Sequence, residues 1–507
     1  MMPTSPHQNE SLWIATAPGP HYPALGGDVD VDVAVLGAGI AGLTTALLLK
    51  RAGKTVAVVE SQRVVQGVTG NTTAKVTSGH NLIYTTLIDT FGEEGAQIYG
   101  ASNQAALVRM ARFVAEEGID CEWERKPNYC YAESPDELKR VEDEVRAAQR
   151  LGLPARYVNE TPLLYPIAGA ICYDDQAQFH PRKYLLHFAE QLAGGGSEVF
   201  EQTRALDVEE GSPCRVITDH GVITARDVVV TTHFPILDRG LFFARAFPRR
   251  EYAISVRADR SKDPAGMYIN VGEPTRSVRT APAPDGLRLV IGGEKHRPGE
   301  DPQTDERHRR LEQFARERFG LDHVEYRWST QDNYSVDRVP FIGRLRPGAE
   351  HLYVATGFSA WGMTNGTLAG MIISDLILHN ANPWAELYDP SRLKLRASAG
   401  KLIKEGANAA RHFIGDRLAS GTHSVEDIAP GEGAIVDLDG EKVAVYRDEQ
   451  NTVHGVSPVC THMKCLVGWN PSEKSWDCPC HGSRFSALGK VIHGPAVEDL
   501  EPKTIQG

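Results

Sequence analysis

The chain has 507 residues, of which 41% are hydrophobic and 24% charged, and its net charge is −12. That length suits two to four domains with ample core, the acidic balance speaks against nucleic acid as a partner, and eight cysteines in such a length exclude a disulfide scaffold. The first 30 residues are polar and Pro/Gly-rich with no apolar signal core, the first arginine is Arg51, and no apolar run is long enough to span a bilayer, so the expectation is a cytoplasmic chain without a transmembrane segment.

After an N-terminal extension (residues 1–27), Val31 to Leu36 reads as a buried strand. It runs into Gly37-Ala38-Gly39-Ile40-Ala41-Gly42, then a helical pattern to Arg51, then a second strand, Lys54 to Glu60. This strand, G-x-G-x-x-G, helix, strand, acid order is a dinucleotide-binding unit. Gly37 permits the tight turn, Gly39 lets backbone approach a pyrophosphate, and Gly42 lets helix and strand pack. The helix N-terminus faces the negative charge. Glu60, 18 residues beyond Gly42, is placed to accept hydrogen bonds from ribose hydroxyls.

Gly67 to Lys75 (G-V-T-G-N-T-T-A-K) is a small-residue loop directly after the acid-ended strand. Ala105 to Glu117 and Ser134 to Leu151 read as helices. Val199 to Val208, Arg215 to Asp219 and Val222 to Thr231 read as strands. Residues 250–295 alternate as four strands, an antiparallel sheet: Tyr252 to Arg257, Gly266 to Val271, Ser277 to Ala281 and Leu287 to Gly292. Thr304 to Arg318 is a charged amphipathic helix, read as a solvated face. Asp337-Arg338-Val339-Pro340-Phe341-Ile342-Gly343 is a turn. His351 to Ala355 is a strand leading through Thr356-Gly357-Phe358-Ser359-Ala360-Trp361-Gly362-Met363-Thr364 into an apolar helix. No second G-x-G-x-x-G unit follows, which counts against a reductase with separate flavin and nicotinamide domains.

These motifs together resemble the D-amino-acid-oxidase-like flavoproteins, the family of glycine, sarcosine and glutamylputrescine oxidases, over roughly residues 28–385. The resemblance implies FAD as cofactor, and an α/β Rossmann-like FAD-binding domain (28–104, 152–235 and 330–385) beside an α+β substrate domain with an antiparallel sheet (105–151 and 236–329). It implies that Gly70, Thr72 and Thr73 approach the flavin, that Ala205 lies against adenine, and that Thr231 returns to the cofactor. It also implies that Gly357, Trp361, Gly362, Met363 and Thr364 face the isoalloxazine ring. In such proteins a hydride leaves the carbon beside an amine, and the protein orients and desolvates. Members that bind amino acids usually anchor the carboxylate with an Arg. Here Arg327 comes early and Asp332 is acidic, so an amine, a polyamine-like cation or a neutral substrate is expected at least as much as an amino acid. Candidates for lining the flavin pocket are His80, His233, Tyr334, Phe358 and Trp361. No acid–base pair declares itself.

Residues 386–421 form a basic connector with helical spacing; Ser391 to Ser420 carries seven Lys/Arg against two Asp/Glu. From 422 to 507 the chain is acidic, with seven basic and thirteen acidic residues. His423 to Ile428, Ala434 to Asp437, Lys442 to Arg447 and Thr452 to Ser457 read as short strands. Two ligand pairs follow, Cys460-x-His462 and Cys478-x-x-His481, separated by 15 residues. Two thiolates and two imidazoles suit a [2Fe–2S] cluster with one iron on Cys460 and Cys478 and the other on His462 and His481. A tetrahedral zinc site is the rival, but zinc fingers of this composition place both Cys first and both His last. Cys121, Cys130, Cys172 and Cys214 are scattered and read as structural.

The stretch C-T-H-x-x-C…C-P-C-H-G-S resembles the Rieske domain of the cytochrome bc1 type, an all-β domain. The resemblance implies a disulfide between Cys465 and Cys480, a cluster hydrogen bond from Ser483, and a covering proline loop at Gly494-Pro495. Phe485 stands where that family has a Tyr donor, which implies a lower potential. The combined expectation is an FAD-dependent dehydrogenase whose electrons pass singly through the Rieske cluster to an external acceptor. Reverse flow from an outside donor protein and a non-catalytic redox sensor are the alternatives.

Overall fold

A computed structural model describes residues 7–301, 303–392 and 424–505. The connector from 393 to 421, with its expected basic helix, lies outside the described residues. Among the described residues, two large sheets, two four-stranded ones and a three-stranded one carry the fold. The eight-stranded sheet is centred on Val29–Leu36, which pairs in parallel with Val56–Val59 on one side and Val222–Val230 on the other. Leu352–Thr356 joins in parallel to the far end of Val222–Val230. The buried parts of these strands, Val33–Leu36, Val56–Val59, Val228–Val230 and Leu352–Thr356, are almost wholly β-branched and apolar, as sheets covered on both faces require. Helices Ile40–Arg51 and Gly362–Ile377 pack against one another, and the contact needs small residues: a Cβ on Gly370 would sit 2.6 Å from Thr44 Cγ2.

The nine-stranded sheet runs His7–Gln8, Val324–Ser335, Ala246–Ala258, Gly286–His296, Arg276–Ala283, Met267–Asn270, Asn128–Ala132, Gly169–Tyr173, Ala155–Val158. It is mostly antiparallel. It draws in residues 155–173 and 330–335, which the sequence reading had assigned to the nucleotide-binding segments; their partners are Asn128–Ala132 and Ala246–Ala258. Helix Thr304–Phe319 buries His308, Leu311, Ala315 and Phe319 against the rest of the protein, so only its other face is solvated. The helix before the sheet is longer than the sequence suggested, Tyr84–Glu117, and is broken at Gly92, whose φ of 77° only glycine adopts cheaply. The N-terminal extension is likewise part of the core. Ser11 caps the helix Leu12–Thr16, and Trp13 is fully buried.

The C-terminal portion is two four-stranded antiparallel sheets, Gly433–Leu438 to Pro502–Lys503 and Gly468–Asn470 to Val491–His493. Val425–Asp427 is a 3-10 turn closed by a Ser424–Asp427 capping box, where a strand was expected; the local side-chain bonds outcompete sheet pairing. This portion lies directly on the larger one. Gly468 approaches Gly299 so closely that a Cβ would fall 2.3 Å from the Gly299 carbonyl oxygen, and Gln331 donates to the Gly482 carbonyl at 2.9 Å. Among the described residues no helix is long and apolar enough to cross a membrane.

Candidate functional site

A cleft opens at the C-terminal ends of Val29–Leu36 and Val56–Val59, the position where strands of an open parallel sheet bind ligands. It holds about 1570 Å³ of space, its open mouth included. Gly37 has φ of 102°, and a Cβ there would meet the Thr231 carbonyl oxygen at 2.7 Å; one on Gly42 would meet the Gly37 oxygen at 2.0 Å. Both glycines are therefore dictated by packing. Gly39 precedes helix Ile40–Arg51 without a side-chain cap, so the positive helix end faces the cleft.

Glu60 lines the cleft, but its carboxylate already accepts from Ala38 N at 3.0 Å, Gln62 N at 3.0 Å and Ser61 Oγ at 3.2 Å. Burial raises its pKa and these bonds pull against it. It therefore organises the turn at the cleft wall. Thr72, Thr73, Ala205, Thr231, Gly362 and Met363 also line the cleft. The long cleft, the helix N-terminus at Gly39 and the glycine cradle fit an adenine dinucleotide.

Gly70, Gly357, Trp361 and Thr364 do not line that cleft. Gly70 turns away, accepting from Ser11 Oγ. Gly357 sits at φ 77° and aims the next residue, Phe358, into the cleft. Trp361 faces a second cavity, of about 1750 Å³ with its open mouth included, that shares Thr72, Thr73, Glu251, Gly362 and Met363 with the first. Tyr334 and His80 line this second cavity. Tyr334 donates to Glu251 at 2.8 Å, so its edge is polar rather than apolar.

His80 is fully engaged. Nε2–H donates to the Thr77 carbonyl at 2.7 Å, which leaves Nδ1 to accept from Tyr99 at 2.7 Å. Thr364 adds a contact at 3.1 Å, and burial lowers the pKa to about 3. The ring stacks on Trp361 at 4.7 Å, so His80 is a neutral support for that indole.

Sequence reasoning missed Lys75, Glu251, Lys295 and Arg338, all on the second cavity. Lys75 is buried, donates to the Tyr268 carbonyl at 2.9 Å, and is brought down to about 7, chiefly by desolvation. Lys295 Nζ lies 3.3 Å from Glu251. Lys75 closes the glycine-rich loop and was legible there; Glu251 and Lys295 meet only through the pairing of two strands. Trp13 was missed too: it donates to the Thr72 carbonyl at 2.7 Å and so holds the flavin-side loop.

His233 lines the first cleft. Nε2–H donates to Asp332 at 3.2 Å, and Nδ1 accepts from His493 Nε2 at 3.0 Å. His493 ends the strand Val491–His493, directly before the proline loop. Burial, with His233 and Arg484 nearby, keeps it neutral.

The two Cys/His loops are built alike. Cys460 N donates to Cys465 O at 2.8 Å and Cys478 N to Ser483 O at 2.8 Å, while Lys464 and Gly482 occupy matching positive-φ positions at 60° and 79°. The His462 and His481 rings lie 5.1 Å apart at 87°. Cys460 and Cys478 face each other: a hydrogen bond between them draws Cys460 down to about 6 and pushes Cys478 up. Ser483 Oγ reaches Cys460 and accepts from Ala496 N at 3.0 Å, the Gly494-Pro495 loop being folded over it. His481 Nε2–H donates to the Phe243 carbonyl at 3.2 Å, which makes Nδ1 the basic nitrogen, as a metal-binding imidazole requires. Cys465 and Cys480 form a disulfide. The three sulfurs of Cys465, Cys478 and Cys480 are therefore close without being a metal site, since two of them are already bonded to each other. Two thiols and two imidazoles on paired loops fit a [2Fe–2S] cluster.

The model of the FAD dependent oxidoreductase family (DAO) matches residues 32–376, and the Rieske [2Fe-2S] domain model matches 422–503. The chain is 35% identical to a Rieske 2Fe-2S iron-sulfur protein named YhfW from Bacillus subtilis (strain 168), over 97% of both chains. It is 23% identical to gamma-glutamylputrescine oxidoreductase of Escherichia coli (strain K12), over 74% of this chain and 90% of that one. Its fold is similar to that of glycine oxidase from Geobacillus kaustophilus, with a TM-score of 0.62 at 18% identity, covering 72% of this chain and 99% of the other.

Proposed function

Because this chain belongs to the FAD-dependent oxidoreductase family of the DAO type and carries a C-terminal Rieske [2Fe–2S] domain, we propose that it is a dehydrogenase of an amine or amino-acid-like substrate that delivers electrons to an external one-electron acceptor. When bound, FAD supplies a two-electron hydride acceptor and the cluster a one-electron carrier. The observation that carries the reading is the sharing of residues: the cavity of Lys75 and Glu251 opens onto the cleft at Thr72, Thr73 and Gly362, and the Rieske domain's 492–497 loop lines the same cleft.

The chain's own residues suit an amine. Glu251 attracts a substrate ammonium, and Tyr334 and Lys295 hold its carboxylate in place. Lys75, with a pKa near 7, is neutral often enough to take the ammonium proton, which frees the nitrogen lone pair that a departing hydride needs. Arg338 and Lys295 line the cavity and suit an anionic end of the substrate. Trp361, backed by His80, walls the cavity and excludes water.

Anaerobic mixing of the holoenzyme with a panel of amines and amino acids tests this. Flavin bleaching followed by a reduced Rieske EPR signal is expected with at least one of them. Bleaching with none, while dithionite reduces both groups, would reject the dehydrogenase reading.

A further inference from the structure

Electron exchange between two bound groups falls steeply with the gap between them, and bonded contacts bridge a gap better than empty space. The interface of the Rieske domain offers a compact set of such contacts, and two routes through them start from one residue. His233 lines the FAD cleft. Through its ring it is hydrogen-bonded to His493 at 3.0 Å, and His493 leads through Gly494 and Pro495 to Ala496, whose N–H donates to Ser483 at 3.0 Å; Ser483 in turn reaches Cys460. Through its backbone His233 continues to Phe234, which is buried and whose ring lies 5.6 Å from that of His481 and 6.2 Å from that of His462. One route thus ends on a thiolate and the other on the imidazoles.

The contact is also held shut. Arg250 of the nine-stranded sheet is 2% exposed and donates to Glu473 of the Rieske domain, which Arg484 and Ser329 also engage. Arg484 adds a bond to Asp477 at 2.9 Å, and Thr304 donates to Asn470 at 2.8 Å. Breaking such a buried ionic group on every turnover would expose unpaired charge.

We propose that His233 is the electron junction between the flavin and the cluster, reaching it through His493 and Phe234, and that the Rieske domain works docked on this junction rather than by swinging. The proposal rests on the reading that flavin and cluster exchange electrons. Each crossing takes one electron from the reduced flavin and converts one ferric iron to ferrous; the external acceptor empties the cluster between crossings. Two crossings return the flavin to its oxidised form and release its proton to water at the cleft mouth. His233 and His493 are positioning residues, since the reacting atoms belong to the two groups.

The test needs no substrate. In the anaerobic holoenzyme the flavin is reduced by a light flash with a deazaflavin and EDTA. Flavin absorbance and rapid-freeze EPR of the cluster then give the crossing rate. His493→Leu and His233→Leu should each slow crossing by about 10-fold or more, the scale of losing an outer contact to a metal ligand. The Rieske EPR signal should be unchanged, and crossing rates are compared per bound FAD. His493→Gln, which keeps a donor, should restore most of the rate, and added glycerol should leave the unaltered protein's rate as it was. Wild-type crossing in both Leu variants, or a rate that falls in proportion to viscosity, would overturn the proposal. If His233→Leu loses FAD, the His493 pair decides alone. A flavin that is reduced while the cluster of the unaltered protein never follows would sink the electron-exchange reading itself, and the junction with it.

Discussion

Arg250→Met is the most informative single change at the domain contact. Arg250 and Arg484 face Glu473 and Asp477, two positive and two negative charges, Arg250 and Asp477 buried and the other two largely so. Methionine keeps the apolar stem but leaves one excess negative charge in the interface. Burial pushes both acids up, yet Arg484 and Arg250 hold Asp477 down to about 2 and Glu473 below the usual carboxylate range. Groups depressed in this way add stability that is fully present above their unfolded values, about 4, and is lost as pH falls through the folded ones. At neutral pH the whole amount is therefore at stake.

Removing one partner of a buried pair costs about 3–5 kcal/mol. Arg484 still pairs with both acids, so the lower end, about 3 kcal/mol, is expected. The measurement is the denaturant midpoint at which the Rieske domain's visible circular dichroism changes, compared with flavin fluorescence, because two domains need not unfold together. Arg250→Met with Glu473→Gln removes both charges and should recover at least half of the loss. A cost below about 1 kcal/mol, the scale of an exposed pair, would refute the buried-lock argument.

Lys75 gives a pH signature. It is neutral above about 7, so anaerobic flavin reduction by an amine should rise through that pH and level off. Lys75→Met should abolish the step and slow reduction by about 10²–10⁴-fold; an unchanged stopped-flow profile would count against a proton-accepting lysine. Cys465→Ser opens a bridge between residues 15 apart, so the cluster should bleach at a lower temperature, by an amount equivalent to about 3 kcal/mol; an unchanged bleaching midpoint would show that the paired loops hold without it. Gly42→Ala places a methyl 2.0 Å from the Gly37 carbonyl oxygen, a backbone atom that cannot step aside. The purified variant should lack FAD while keeping its Rieske EPR signal, and full FAD occupancy would contradict the cradle.

The amino-acid order alone carried the two cofactors. Gly37, Gly39 and Gly42 between two apolar strands, and two short loops each with one Cys and one His, are local patterns whose spacing survives any arrangement of the rest. The Cys465–Cys480 pairing followed from resemblance, and the structure contains it. Domain segments were less legible. Residues 155–173 were placed with the nucleotide-binding segments, but a strand's partner is a long-range choice, and these pair into the nine-stranded sheet. The polar residues of the second cavity were hidden for the same reason. Glu251 and Lys295 are ordinary charges on alternating strands until pairing sets them side by side. His80 showed the reverse: adjacent to the flavin loop in sequence, it is spent on Thr77 and Tyr99 in space.

What the sequence determined by itself was therefore the chemistry available, an FAD-type cradle and a [2Fe–2S] ligand set, because each is encoded within a few dozen consecutive residues. Only the tertiary structure decided that the two meet. Residues 233 and 493 are hydrogen-bonded at 3.0 Å although 260 positions separate them, and no local pattern specifies a contact between surfaces so far apart in the chain.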